Sequence, residues 1–329
     1  MTAARREVRE YVERSSPGAT LEPLAGDAST RRFFRVRPRS GPTRVLMDYG
    51  RAFEGETDDV VAGRIFAAAG LPVARTFDVC GAAGCLLQED LGDRTLEREL
   101  RRGAGADAWA LLAAAVRLAA AIAVRGSPEL ARSPRANGPA LDAARFRFEM
   151  DYYLEHYARG LRGHTSVPAE LRPRLHELAE RAAESPRRVL CHRDFHSRNL
   201  LLRDDRALVM VDVQDARWGP DSYDLASLLY DAYSDLDEAS IGPLLALYLE
   251  ETGERSRDAF ALRFDIVACQ RMLKALGTFG SLRSSAGAAR YLEGVPRTLA
   301  RLRRLLPSRE ETRPLFALLA DAGLLDPLG

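Results

Sequence analysis

Residues 191–199 read CHRDFHSRN, and residues 208–215 read LVMVDVQD. The first stretch places Asp194 and Asn199 five positions apart in a polar loop between apolar runs. Thirteen residues beyond Asn199, Asp212 stands inside the apolar run VMVDV, which we predict to be a strand. A carboxylate in such a strand is costly to bury unless a positive charge pairs with it, and a bound cation would serve. Because carboxylate and amide oxygens suit Mg²⁺, the two stretches indicate a site for metal-assisted phosphoryl transfer.

Both stretches resemble the kinase-like superfamily. HRDFHSRN matches its H-x-D-x-x-x-x-N catalytic loop, and Asp212 matches the metal-binding aspartate of the following strand. The phenylalanine and glycine that follow this aspartate in protein kinases are absent, because Val213 and Gln214 stand there. Gly219 and Pro220 lead directly to a helix, with no segment for binding a peptide. The chain therefore resembles the aminoglycoside phosphotransferases and choline kinases, which act on small molecules.

The resemblance covers most of the chain. The segments GDASTRRFF, LLQEDLGD, VDVQDARWGP and YDLASLLYDAY are most similar to bacterial kinases that phosphorylate the anomeric hydroxyl of N-acetylmuramate or N-acetylglucosamine. It implies an α+β, bilobal, protein-kinase-like fold with a small β-rich lobe and a larger helical lobe. It also implies ATP and Mg²⁺ as cofactors and a small-molecule sugar as the acceptor.

Roles follow for individual residues from the same resemblance. Asp194 is expected to be the catalytic base, with Asn199 and Asp212 as ligands of Mg²⁺. His196 and Arg198 are candidates for contacting the transferred phosphate. We expect three parts of the chain to bind the nucleotide. They are a phosphate-covering loop (Gly26, Asp27, Ala28 and Ser29), an apolar residue against adenine (Phe33) and a hinge (Gln88, Glu89 and Leu91). Acceptor binding is expected of Asp194 together with Gln214, Asp215 and Asp231. We predict that Asp224 is the N-cap of a helix over residues 225–234.

One departure from the family concerns its third-strand lysine, which touches the nucleotide phosphates. Met47 stands at the matching place, and Lys274 is the only lysine in the chain. Side chains alternate between the faces of a strand, so Arg31, Phe33 and Arg35 share one face. We predict that Arg31 holds the ATP phosphates instead, with Arg35 as the second choice.

Two other functions stay open at this stage. An aminoglycoside kinase needs an acidic acceptor pocket, which could be formed by Asp231, Asp235, Asp237 and Glu238. A nucleotide-binding pseudokinase would explain the missing lysine. Retention of Asp194, Asn199 and Asp212 argues against it, because a regulatory scaffold needs neither a base nor metal ligands.

Composition narrows the partners and the compartment. The 329 residues include 48 basic and 47 acidic side chains, a formal net charge of +1, so no overall field recruits nucleic acid or a membrane. The four cysteines have no CxxC spacing, which favours a reducing cytoplasm. The most apolar stretch, residues 108–124, is shorter than the roughly 20 residues that span a bilayer, and we interpret it as a buried helix. We expect a monomer.

The organisation of the chain changes near residue 92. Residues 31–37 and 43–48 predict strands, 58–69 a helix and 85–88 a further strand. Beyond the hinge the pattern is mainly helical, interrupted by short apolar runs at 189–191, 200–202 and 208–213. We therefore predict an N-lobe over residues 1–92 and a C-lobe over residues 93–329. Helices are expected at 107–125, 140–160, 168–184, 224–234, 239–252, 258–276 and 288–306.

Overall fold

The computed structural model describes residues 4–24, 31–103, 105–285 and 289–328. Within these ranges the strands are β1 (Thr20–Leu24), β2 (Arg32–Arg37), β3 (Arg44–Asp48), β4 (Thr76–Cys80), β5 (Cys85–Glu89), β6 (Arg188–Cys191), β7 (Leu200–Leu202), β8 (Leu208–Met210) and β9 (Arg217–Pro220). The helices are α1 (Arg6–Ser15), α2 (Asp58–Ala68), α3 (Leu96–Arg102), α4 (Ala106–Ala121), α5 (Ser127–Arg132), α6 (Ala143–Tyr153), α7 (Leu171–Ala183), α8 (Tyr223–Leu229), α9 (Ile241–Thr252), α10 (Arg257–Ser281), α11 (Ala289–Leu292), α12 (Val295–Leu305) and α13 (Arg313–Asp321). Wider helical turns at Ile122–Gly126 and Leu154–Leu161 continue α4 and α6.

The chain divides into two compact units. The N-terminal unit comprises Met1–Arg94 and Leu201–Gln214, and the C-terminal unit comprises Thr95–Leu200 and Asp215–Gly329. The first division point lies two residues beyond the boundary predicted at residue 92. The return of residues 201–214 to the N-terminal unit was not foreseen from the sequence.

An antiparallel sheet of five strands, in the order β1-β2-β3-β5-β4, forms the centre of the N-terminal unit. Alternation along β2 places Phe34 and Val36 in the core and Phe33 and Arg35 on the other face. Helix α1 covers the core face with Val8 and its neighbours. Burial of these apolar side chains supplies the main stabilisation of the unit.

Two ion pairs compensate a buried negative charge in this sheet. Asp48 ends β3 with a fully buried carboxylate, which pairs with Arg5 at 2.8 Å and with Arg32 at 2.7 Å. Burial raises the pKa of Asp48, but the hydrogen bonds from Arg5 and Gly50 outweigh it and lower that pKa. The two arginines therefore bring α1 and β2 to the end of β3.

Backbone hydrogen bonds explain why residues 201–214 group with the N-terminal unit. The N–H of Met210 donates to the carbonyl of Pro72 at 2.9 Å, and the N–H of Ala74 donates to the carbonyl of Met210 at 3.1 Å. At the end of β7, the N–H of Leu202 donates to the carbonyl of Arg94 at 2.7 Å.

Helix α10 is the central element of the C-terminal unit. It contacts α6, α7, α8 and α12, and it also packs along residues 154–161. Its buried side chains include Phe264, Met272 and Leu276. Two of its glycines, Gly277 and Gly280, allow a close approach to the backbone of residues 153–157.

Residues 106–132 form the only helical stretch, within the ranges described, that has the length and apolar composition to cross a membrane. Its mean hydropathy reaches 1.8, and 56% of the most apolar window is buried inside the protein. Burial of this kind is typical of core helices, which pass the same test of length and composition.

Several predicted elements are confirmed, and others end elsewhere. Strands β2 and β3 and helix α2 lie within one residue of the predicted bounds. The strand predicted to include Asp212 is wrong at its end: β8 stops at Met210, because Asp212 has a φ of 64°, which is incompatible with a strand. Seven of the strands and helices named above were not predicted from the sequence, and they are α1, β1, β4, α3, α5, β9 and α13.

Gly280→Ala tests the close packing of α10. The new Cβ would overlap the backbone carbonyl of His156, so the helices must separate. We expect a loss of about 1–3 kcal/mol in the free energy of unfolding, measured by urea denaturation. Gly242→Ala in α9 is the matched control, since a Cβ there meets no atom within 4 Å. It should be neutral or stabilising by up to about 1 kcal/mol, and equal destabilisation by both substitutions would contradict the packing argument.

Candidate active site

The loop that follows β6 carries Asp194, and a buried carboxylate fixes its backbone. Asp224 accepts hydrogen bonds from the N–H of His192 at 2.6 Å and from the N–H of Arg193 at 3.0 Å. Arg193 has a φ of 80°, an unusual conformation for a residue with a Cβ, so an external constraint is needed. The predicted N-cap role of Asp224 is wrong: Asp224 lies within the first turn of α8, behind Ser222, and its carboxylate is used by the loop.

A second buried carboxylate fixes the far end of the loop. Asp231 accepts hydrogen bonds from the N–H of Ser197 at 2.8 Å, from the Ser197 hydroxyl and from the N–H of Tyr233 at 2.9 Å. Asn199 closes the loop, because its Nδ2 donates to the carbonyl of Asp194 at 2.9 Å. The Asp194 backbone is thus constrained on both sides.

Two cations of helix α10 contact the Asp194 side chain. Lys274 Nζ lies 3.1 Å from Oδ1, and an Arg271 guanidinium nitrogen lies 3.7 Å from the same oxygen. Burial raises the pKa of Asp194, but the charges of Lys274, Arg271 and Arg193 outweigh it and hold that pKa well below its ordinary value. Burial in turn lowers the pKa of Lys274. The carboxylate is therefore anionic and oriented through one oxygen.

The surroundings of Asp194, Lys274 and Arg271 contain further arginine side chains and carboxylates. Arg193 pairs with Asp215 at 2.8 Å, and Arg217 pairs with the same carboxylate at 2.7 Å. Glu149 accepts hydrogen bonds from Arg145 at 3.1 Å and from the amide of Gln270 at 2.8 Å. Asp215, an expected acceptor ligand, is thus engaged by two guanidinium groups.

The N-terminal unit contains the predicted nucleotide-binding residue Arg31 and the predicted metal ligand Asp212. Arg31 bridges two carboxylates, Asp59 of α2 at 2.7 Å and Asp212 at 2.9 Å. It also contacts the sulfur of Met47, the residue at the place of the expected lysine, at 3.7 Å. Burial raises the pKa of Asp59, and the charge of Arg31 opposes that rise. Asp212 keeps 38% of its side chain exposed.

The second arginine on this face is used differently. Arg35 pairs with Asp90 at 2.7 Å and with Asp93 at 3.0 Å, which ties β2 to the predicted hinge. Phe33 lies between the two arginines on the half-buried face, with the Arg31 guanidinium 6.0 Å from its ring centre.

The hinge residues are partly committed to the sheet. Gln88 lies in β5 opposite Val45, and the N–H of Glu89 donates to the carbonyl of Arg75 at 2.8 Å. The Glu89 carboxylate pairs with Arg203 at 3.1 Å. Leu91 is half-buried just beyond the strand. The predicted phosphate-covering residues Gly26, Asp27, Ala28 and Ser29 lie outside the described residues.

His196 and Arg198 have contacts that favour a structural role. The Arg198 guanidinium donates to Glu97 at 3.0 Å and lies 3.6 Å from the ring centre of Tyr233. The His196 ring packs edge-on against the same tyrosine, with 5.4 Å between the ring centres. Their predicted contact with phosphate stays a prediction.

The remaining predicted acceptor ligands have different surroundings. Asp231 is buried and uses its carboxylate on the loop, as described above, which favours a structural role for it. Gln214 is half-buried in the turn after Val213. Asp194, the predicted base, is partly exposed, with 24% of its side chain accessible.

The chemistry of the donors is compatible with Mg²⁺. Because Asn199 Nδ2 is used by the loop, its amide oxygen is the atom available to a metal. Asp212 supplies a partly exposed carboxylate in the other unit. In the part of the chain that the structure describes, no group of three His, Cys, Asp or Glu residues could hold a metal. Mg²⁺ bound with phosphates needs only one or two carboxylates from protein, so a group of three is not required for it.

The sequence pattern of the phosphotransferase enzyme family matches residues 20–260. The chain belongs to this family. A choline/ethanolamine kinase family protein from Mesorhizobium loti has a similar structure, with a TM-score of 0.61, 19% identity and coverage of 95% of this chain and 98% of that one. The predicted α+β, protein-kinase-like fold class is therefore confirmed.

Relatives with higher identity share a more specific name. An N-acetylmuramate/N-acetylglucosamine kinase of Pseudomonas aeruginosa is 31% identical over 93% of this chain and 89% of its own length. The protein of the same name from Pseudomonas putida is 29% identical, with the same coverage of both chains. This phosphotransferase is thus similar over nearly its whole length to kinases of amino sugars.

The residues of the site that the sequence did not single out include Lys274, Asp59 and Glu149. Lys274 lies eighty positions beyond Asp194, and only the packing of α10 brings them together. Asp59 sits in the first turn of α2, where an acidic residue is ordinary, and Glu149 lies in the middle of α6. That Lys274 is the only lysine of the phosphotransferase was the one available signal.

Asp224→Asn tests the support of the loop. The amide nitrogen cannot accept a hydrogen bond, so a buried N–H of His192 or Arg193 loses its acceptor. We expect a loss of about 1–3 kcal/mol in the free energy of unfolding, together with a lower kcat. Asp205→Asn is the matched control, because the exposed Asp205 also accepts a backbone N–H, that of Ala207 at 2.9 Å. It should change stability by less than about 0.5 kcal/mol. Unchanged stability of Asp224→Asn would contradict the assignment.

Proposed function

We propose that this phosphotransferase moves the γ-phosphoryl group of ATP to the anomeric hydroxyl of an amino sugar, N-acetylmuramate or N-acetylglucosamine, with Asp194 as the base. The observation that carries this proposal is the Asp194 carboxylate, which lies in a fixed loop with Oδ1 bound by Lys274. The names of the relatives supply the acceptor class.

The chemistry assigned to Asp194 is a proton transfer. Its Oδ2 accepts the proton of the acceptor hydroxyl, because both cations approach Oδ1. The acceptor oxygen bonds to the γ-phosphorus, and the bond from phosphorus to the β–γ bridging oxygen breaks, which leaves ADP and a sugar 1-phosphate. An anomeric hydroxyl is more acidic than an ordinary alcohol, so a carboxylate suffices as its base.

The surroundings of Asp194 favour a neutral or anionic acceptor over a cationic aminoglycoside. The acidic residues that could have attracted an aminoglycoside are engaged: Arg297 pairs with Asp235 at 3.2 Å, and Arg304 pairs with Glu238. Asp237 accepts the N–H of Ala239 at 3.3 Å. The base itself is surrounded by lysine and arginine side chains, which repel a polycation.

The nucleotide role falls to Arg31. Its contact with Asp212, the proposed metal ligand, would put it beside Mg²⁺-bound phosphates, and its contact with Asp59 holds the guanidinium in place. A guanidinium can bind two phosphate oxygens at once. When bound, Mg²⁺ neutralises charge on the phosphates, and Asn199 and Asp212 would hold it.

The organisation of the protein and its location are part of the proposal. The N-lobe over residues 1–92 would bind the nucleotide, and the C-lobe over residues 93–329 would bind the sugar. All four cysteines are free thiols, which supports a reducing, cytoplasmic location. We propose that the enzyme acts as a monomer, without nucleic acid or membrane as a partner.

The acceptor position can be tested with blocked sugars. The purified protein, ATP and Mg²⁺ should convert N-acetylglucosamine and N-acetylmuramate into 1-phosphates, identified by ³¹P NMR. The 1-O-methyl glycosides lack the reacting proton and should be inert. Phosphorylation of a methyl glycoside would contradict the anomeric position, and turnover of neither free sugar would contradict the acceptor class.

The proposed role of Asp194 as the base can be tested separately. Asp194→Asn keeps the size of the side chain but removes the proton acceptor. It should lower kcat by roughly 10²–10⁴-fold while ATP still binds, as measured by calorimetry. An equal loss of nucleotide affinity would place Asp194 among the nucleotide ligands instead.

Arg31→Met tests the contact with the nucleotide phosphates. We expect the KM for ATP to rise about 10–100-fold, as for the loss of a charged hydrogen bond, with little change in the KM for the sugar. Arg35→Met is a closely matched control. The two guanidinium side chains are 14% and 12% exposed, and each bridges two carboxylates. Normal ATP kinetics in Arg31→Met, or equal losses in both variants, would contradict the assignment.

A further inference from the structure

Lys274 and Arg271 lie one turn apart on α10, so their side chains share one face of the helix. They are 17% and 10% exposed, respectively, and both approach Asp194 Oδ1. A single carboxylate oxygen therefore faces two positive charges. Both side chains also retain hydrogen-bonding capacity that Asp194 does not use.

The unused capacity can be counted by atom. Lys274 Nζ has three N–H donors, and within the described part of the chain it donates to Asp194 alone. Arg271 donates from one terminal nitrogen to the Tyr223 hydroxyl at 2.7 Å, and its buried Nε has no partner among the described residues. Buried hydrogen-bond donors without acceptors are costly, which indicates that a bound ligand supplies the acceptors.

The charge around Asp194 is also unbalanced. Among the described residues, five cations lie in this group, and they are Lys274, Arg271, Arg193, Arg217 and Arg145. Four carboxylates lie among them: Asp194, Asp215 and Glu149 form ion pairs, and Asp224 accepts the N–H of Arg193. Partly buried charge of one sign is stabilised when an opposite charge binds. An anionic reactant would supply that charge.

We propose that Lys274 and Arg271 form an anion-binding site beside Asp194, which takes an anionic oxygen group of the reactants. This inference rests on the proposed function, since it extends the assignment of Asp194 as the base. The group has two sources, the transferred phosphoryl group and the carboxylate that N-acetylmuramate carries and N-acetylglucosamine lacks. The same pair of side chains keeps Oδ1 of the base occupied.

Lys274→Met tests the anion site by kinetics with both sugars. A phosphoryl contact predicts a fall in kcat of about 10–100-fold by the same factor for the two sugars. A carboxylate contact predicts that kcat/KM falls about tenfold further for N-acetylmuramate than for N-acetylglucosamine. A fall of less than about threefold for both sugars would overturn the proposal.

Two further variants separate charge from shape and stability. Lys274→Arg keeps the charge and should recover most of the activity, and a variant as impaired as Lys274→Met would overturn the proposal. Arg309→Met is the matched control for helix packing, because Arg309, which lies beyond α12, pairs with Asp265 of α10 at 2.7 Å. It should lower the thermal midpoint but leave kcat/KM unchanged. If it reduces kcat/KM as much as Lys274→Met does, loss of helix packing explains both.

A binding measurement keeps this inference separate from the proposed function. Inorganic phosphate is titrated into the full-length protein without nucleotide, and its ³¹P signal is followed in the wild type and in Lys274→Met. We expect binding at least about fivefold weaker in the variant. If the wild type phosphorylates neither sugar, the proposed function fails, and the phosphate titration alone decides the anion site. Equal phosphate binding by the two proteins, together with unchanged kinetics, would overturn it.

Discussion

Two buried carboxylates hold the loop on which the candidate chemistry depends. Asp224 binds the backbone N–H groups on the N-terminal side of Asp194, and Asp231 binds Ser197 on the C-terminal side. Arg193, which directly precedes Asp194 and donates its N–H to Asp224, has a strained backbone conformation. Such a conformation persists only where the surroundings fix it, and fixed geometry is what phosphoryl transfer requires of a base. Helix α8 and the residues just beyond it supply both of these carboxylates.

Ion pairs within each unit position the predicted base and the predicted metal ligand. In the C-terminal unit, Lys274 and Arg271 approach one oxygen of Asp194. In the N-terminal unit, Arg31 joins Asp59 to Asp212. Arginine suits the second arrangement because its planar guanidinium spans two carboxylates and stays charged. Arg31 lies beside Met47, the residue matched by resemblance to the family's lysine, so a cation is present at that place.

Predictions from local patterns succeeded where the pattern is periodic. Strands β2 and β3 and helix α2 agree closely with the alternation and helical spacing of their apolar residues. The end of β8 was wrong because apolar Val211 and Val213 continue the pattern through Asp212, whereas the backbone turns there with a positive φ. Helix α8 stops at Leu229, five residues before its predicted end, because Asp231 leaves the helix to bind Ser197. A tertiary contact overrides the local preference in that case.

The sequence by itself determined the family, the fold class and the short list that contains Asp194, Asn199 and Asp212, because these features are encoded at fixed spacing within continuous segments. Tertiary structure decided which charges meet. Asp224 was predicted to be a helix cap but binds the backbone of the loop, and Lys274, which was not assigned to the site, contacts Asp194. Ion-pair partners are set by the packing of helices far apart in the chain, and in a sequence with 48 basic and 47 acidic residues, spacing alone cannot select among so many partners.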